Sequence, residues 1–152
     1  MSIPNFHVVN AIPPVADVEA TSFDSDVVNC QGGGVLFIYH TGVNAGGDST
    51  ITVEACDNVT PSTTAVVPFV YRSCVATDVW GDWTAATTAG FTSSQVSNAM
   101  HQIYVDGAEL AEEGYGYVRL SATEDTNAAV LGGVLAIVID GRYEAAPATL
   151  LT

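Results

Sequence analysis

Three histidines, His7, His40 and His101, are the side chains of this sequence whose ordinary pKa lies near neutrality. Nucleophilic catalysis needs one of them beside a Ser or Cys, with a third group to orient it. They stand far apart along the chain, and no Gly-x-Ser-x-Gly elbow accompanies them. No catalytic residue is assigned, and the expectation is that the chain is not an enzyme. His40 is expected to end one strand and His101 to begin another. The cysteines, Cys30, Cys56 and Cys74, are odd in number and lack CxxC spacing. That pattern fits neither a zinc site nor a disulfide framework, so buried free thiols are expected, with one disulfide plus a free thiol as the alternative. Asp24-Ser-Asp26 and Asp57-Asn58 offer oxygens of the kind calcium takes, but neither follows an EF-hand loop. Solvated acidic turns are the simpler reading, with Asp57 and Asn58 bonding their own backbone. No metal and no cofactor is expected.

Aromatic and aliphatic residues offer binding rather than bond-making. Trp80 and Trp83 stand three apart in Trp-Gly-Asp-Trp. Such a pair either stacks on a sugar ring or anchors a core or an interface, where Trp is enriched at hot spots. Ile3, Phe6, Val8 and Ile12 punctuate a proline-containing N-terminal stretch. Together with Trp80 and Trp83 they form the candidate interface set.

Charge narrows the partners. The chain has 152 residues, 17 carboxylates and three arginines, Arg72, Arg119 and Arg142, with no lysine; its net charge is −14. Nucleic-acid binding needs clustered Lys or Arg to displace counterions, and anionic membrane surfaces demand the same. Both partners are therefore excluded. Only 13% of residues are charged, against about 25% in an ordinary soluble domain. A surface this neutral is expected to be covered by neighbours. The ten apolar residues 130–139 are too few for a membrane-spanning helix, which takes about 20. The first residues lack the basic and apolar pattern of a signal peptide, so cytoplasmic synthesis is expected. The acids Glu109, Glu112, Glu113, Glu124 and Asp125 read as a solvated face, or as a dock for a basic patch.

The elements that position these residues read as strands. Residues 1–26, with Pro4, Pro13 and Pro14, are expected to form an extended N-terminal arm. From residue 27 the apolar period becomes two. Val35–Tyr39 and Thr50–Ala55 look like a hairpin joined by the glycine-rich 42–48, with Ile51 and Val53 on one face and Thr50, Thr52 and Glu54 on the other. Val67–Cys74, Thr84–Thr87, His101–Val105, Tyr115–Ser121 and Val130–Ile139 supply further strands, and 87–99 reads as a loop. Asp106 to Gly114 has the start and stop chemistry of one short helix. The expected fold is an all-β antiparallel β-sandwich, jelly-roll-like, in one domain over residues 27–140, with a C-terminal tail over 141–152.

Five segments carry a resemblance: Ser49-Thr-Ile-Thr-Val-Glu-Ala-Cys-Asp-Asn-Val-Thr-Pro61, Val67-Pro-Phe-Val-Tyr-Arg72, Trp80-Gly-Asp-Trp-Thr-Ala-Ala-Thr-Thr-Ala-Gly-Phe91, Tyr117-Val-Arg-Leu120 and Val130-Leu-Gly-Gly-Val-Leu-Ala-Ile-Val138. In this order the chain resembles small virion proteins of tailed bacteriophages. The resemblance implies a structural role, head decoration or capsid cementing, on the head surface of a virion. It implies the major capsid protein as partner, and a homo-oligomer, with a trimer favoured. It supplies no catalytic residue. The alternatives are a carbohydrate-binding or host-adhesion module and a tail or neck component.

Overall fold

The computed structural model describes residues 6–30, 33–76 and 78–139. Seven long strands carry the fold: β1 (Phe6–Val15), β4 (Gly34–Asn44), β5 (Asp48–Cys56), β7 (Phe69–Ala76), β11 (Met100–Asp106), β12 (Tyr117–Thr126) and β13 (Val130–Ile139). Six short strands of two to four residues fill the edges: β2 (Phe23–Asp24), β3 (Val28–Asn29), β6 (Thr64–Val67), β8 (Val79–Trp80), β9 (Thr84–Ala86) and β10 (Phe91–Thr92). One helix, α1 (Gly107–Glu112), follows β11.

The strands form two antiparallel sheets packed as a sandwich. The first runs β1-β13-β4-β11-β7-β8, with β9 also on β7. The second runs β10-β5-β12-β2, with β3 on β12 and β6 on β5. Period-two alternation decides what enters the core. Along β5 the residues Ile51, Val53 and Ala55 are fully buried, as the alternation predicts. Phe37 and Tyr39 of β4, Ile103 of β11 and Leu120 of β12 complete the centre. Tyr71 and Phe91 stack across it with ring centroids 4.0 Å apart.

Four expectations need correction. Val35–Tyr39 and Thr50–Ala55 do not form a hairpin. β4 pairs β13 and β11, whereas β5 pairs β12, β6 and β10. The turn between them takes the chain from one sheet to the other. The strand read over Val67–Cys74 is two strands. Pro68 lacks the N–H that a ladder needs, and at that point the chain passes from β6 in the second sheet to β7 in the first. Residues 6–15 are extended but belong to the sandwich itself rather than to an arm outside the 27–140 domain. They pair with β13 from Phe6 opposite Ile139 to Val15 opposite Gly132, and they bury Val9 and Ala11. His40 lies within β4 rather than at its end. Residues 1–5 and the tail over 141–152 lie outside the described residues, and with them Ile3 and Arg142.

α1 starts as its sequence predicts. The Asp106 carboxylate accepts from the Ala108 N–H at 2.9 Å, and Gly114 leaves the helix with φ +88°.

Candidate functional site

Along β13, Val134, Ala136 and Val138 point into the core, while Leu131 and Leu135 are exposed. On β4, Leu36 and Ile38 alternate with the buried Phe37 and Tyr39 and are only partly covered. Phe6 and Val8 of β1 pair with Ile139 and Ile137, and both are about half exposed. The outer face of β1, β13 and β4 is therefore largely apolar, with the exposed Asn10 and His40 as its polar side chains. A groove of about 500 Å³ runs over this face. Ile12, Ile38, Met100, Leu131 and Leu135 line it together with the polar Asn10 and His40, and the Leu131 side chain packs over Gly42. Among the described residues, Asp106 is the one carboxylate on the seven strands of this sheet, and it caps α1 at their end.

The second sheet's outer face is different. It presents Thr50, Thr52, Glu54, Arg119 and Ser121. Arg119 bridges three strands: Nη1 reaches Asp24 at 2.9 Å and Nη2 reaches Glu54 at 2.6 Å. Asp24 also accepts from the Ser121 hydroxyl at 2.7 Å. Asp57 accepts from the backbone N–H and the hydroxyl of Ser62, which holds its carboxyl below the usual range. Asn58 accepts from the Thr60 N–H at 2.7 Å. These contacts bind Asp24, Asp57 and Asn58 into the protein's own turns and strands. Among the described residues no group of three or more His, Cys, Asp or Glu side chains could hold a metal ion. Glu109, Glu112, Glu113 and Asp125 are exposed to solvent.

Trp80 and Trp83 enclose an arginine. The Arg72 guanidinium lies 4.9 Å from the Trp80 ring centroid and 4.7 Å from that of Trp83. Its Nε donates to Gln102 on the neighbouring β11 at 2.7 Å. Such contacts are worth about 0.5–1 kcal/mol each at exposed sites. The pair is thus neither core nor a bare platform: Trp80 is half-buried, Trp83 is 46% exposed, and Arg72 already covers one face of each indole.

The interior holds a polar seam that the sequence did not reveal. Glu19, between β1 and β2, is 1% exposed. It accepts from the Tyr39 hydroxyl at 2.5 Å and from Ser93 at 3.0 Å. Burial pushes its carboxyl above the ordinary 4.5; Tyr39, Ser93 and Ser49 pull it back in part, and Asp48 adds to the rise. Glu19 Oε2 and Ser49 Oγ are buried and each lacks a hydrogen-bond partner. Only a single acidic letter in Val-Glu-Ala marks this residue in the sequence, and nothing there distinguishes it from a solvated one.

His101 sits beside this seam, stacked on Tyr39 with centroids 5.8 Å apart. Its Nδ1 is 2.7 Å from Ser73 Oγ, a spacing that suits a nucleophile and base. The hydrogen-bond network assigns the opposite roles. Nε2 accepts from the Ser94 N–H at 3.3 Å, so in the neutral ring Nδ1 carries the proton and donates it to Ser73. The ring therefore has no lone pair for the Ser73 proton, and no carboxylate orients its other nitrogen as a triad requires. Burial lowers the His101 pKa to about 4, which keeps the ring neutral. His7 and His40 take no part in this pair.

Cys30, Cys56 and Cys74 are not joined in a disulfide. Burial raises Cys30 to about 12 and Cys56 to about 11, which leaves both as inert thiols. No described helix is long and apolar enough to cross a membrane. No family model matches the chain, and no curated protein or solved structure matches it.

Proposed function

We propose that this chain is a structural protein of a bacteriophage virion, a capsid decoration or cement protein that works by binding alone. The observation that carries the reading is the first sheet, whose outer face is largely apolar as well as its inner one. A sheet of a self-sufficient sandwich turns one face to the core and one to water. Here the outer face of β1, β13 and β4 carries Val8, Leu131, Leu135 and Ile38. An exposed face of this kind marks an interaction surface. The ordered resemblance over about residues 30–139 supports the virion setting, with the major capsid protein as partner. Acid groups displaced to loops, the second sheet and α1 keep an assembled particle soluble. Copies arranged as trimers over capsid junctions would add many weak contacts into a strong one.

The test is co-sedimentation of the purified chain with heads built from the major capsid protein, followed by particle reconstruction. Density on the head exterior is expected. Density confined to the tail or neck would overturn the decoration role. A second reading, glycan adhesion, draws on the half-exposed Trp83 ring. It requires Trp83→Ala to abolish binding on a glycan array while head binding is unchanged.

A further inference from the structure

We infer that the outer face of the seven-stranded sheet seats a second copy of this chain. The inference deepens the reading of the chain as an interface-forming protein and does not depend on where in a virion it resides.

Charge selects the occupant. Two copies each carrying −14 repel one another, and close approach of unscreened carboxylates costs free energy. Of the 15 carboxylates among the described residues, Asp106 alone lies on this sheet, at the end of β11, whereas the second sheet carries Asp24, Asp48, Glu54, Glu124 and Asp125 on its strands. The first sheet's outer face is the broad surface across which copies can meet without opposing their acids. A basic partner drawn by the net charge would settle on the acidic surfaces instead.

Shape and size agree with this. Five strands, β1, β13, β4, β11 and β7, lie side by side. At about 4.8 Å between strands and about 3.3 Å per residue, they present roughly 600 Å². That is most of the ~800 Å² per partner that a stable interface buries. The groove over Gly42, Gly132 and Gly133 is concave, and the exposed Leu131 and Leu135 beside it are the kind of side chains that fill such a groove on a facing copy. A surface that is both knob and hole is self-complementary, as an isologous two-fold interface between copies requires.

The experiment measures mass by light scattering and sedimentation velocity on the full chain from 1 to 100 µM. A dimer is expected, tightening as salt rises from 0.05 to 0.5 M because the acids are screened. Leu135→Glu should weaken association at least 100-fold while the far-UV spectrum and thermal melt stay those of a folded sandwich. Val8→Asp, at the exposed edge strand, should do the same. Val66→Glu, on β6 of the other sheet, should leave association unchanged. A wild-type monomer at 100 µM in 0.5 M salt would overturn the inference, as would a folded Leu135→Glu that assembles like wild type. A monomer that still decorates heads would sink this inference and leave the virion reading standing. Oligomers that bind no part of a particle would do the reverse.

Discussion

Acidification from pH 7 to pH 4 should destabilise this protein by about 3 kcal/mol through His101 alone. The ring is 1% exposed, donates to Ser73, accepts from Ser94 and packs on Tyr39 and Phe91. Protonation would place an unpaired charge in that layer and turn Nε2 from acceptor to donor against an N–H. The folded-state pKa is about 4, against 6.5 when unfolded. Between these values the unfolded chain binds the proton and the folded one does not. Stability from this group is therefore fully present above pH 6.5 and is lost as pH falls toward 4. At 1.36 kcal/mol per pH unit, the interval gives about 3 kcal/mol, a large share of the 5–15 kcal/mol that holds a typical domain. Urea unfolding of wild type and His101→Gln at pH 7, 6, 5 and 4 measures it. Gln keeps one donor and one acceptor but cannot titrate. The wild-type curve should fall more steeply, and the gap between the two proteins should shift by about 3 kcal/mol over the range. A gap constant to within about 0.5 kcal/mol would refute the assignment of His101 as a buried neutral ring.

Two further substitutions probe the remaining polar contacts. Glu19 titrates in the opposite sense. Its folded pKa is raised, so the stability it contributes is present below 4.5 and is lost as pH rises through the folded value. Glu19→Gln should therefore be at least as stable as wild type at pH 8 and lose that advantage at pH 4; thermal melts at the two pH values decide, and a Gln protein weaker by more than about 2 kcal/mol at pH 8 would mean the charged carboxylate is needed. Arg72→Gln removes two cation–π contacts and the bond to Gln102. It should cost about 1–2 kcal/mol in urea unfolding and alter tryptophan emission; unaltered emission would show that the rings do not hold Arg72 in solution.

Much of the fold was legible because strand alternation is local. Val130–Ile139 reads as a strand at its true limits, and Ile51 and Val53 fall on the buried face as their spacing says. The helix was legible too, because Asp106 and Gly114 act on their own neighbours. The two-to-four-residue strands were less so, since their pairing comes from β5, β7 and β12 rather than from their own composition. The hairpin misreading has the same origin: a glycine-rich turn suits a hairpin and a passage between sheets equally well. Phe6–Val15 looked like an arm because its prolines break a ladder pattern, yet an edge strand tolerates Pro, and β1 is an edge. The candidate interface residues were partly visible. Phe6 and Val8 are exposed on the outer face, whereas Ile12 packs partly against the core.

The sequence by itself determined the strand-rich class, the lack of lysine and the near absence of acids from the segments that make the first sheet. Those are properties of single segments. Only the tertiary structure decided which side of each segment is covered. In Leu36-Phe37-Ile38-Tyr39 both alternating sets are apolar, so period alone cannot name the buried one; pairing with β13 and β11 and packing on the second sheet do. The same distant pairings set Arg72 between two indoles, His101 against Ser73 and Glu19 beneath Tyr39. Each of these contacts joins residues from different segments, and their chemistry arises only when the sheets bring them within bonding distance.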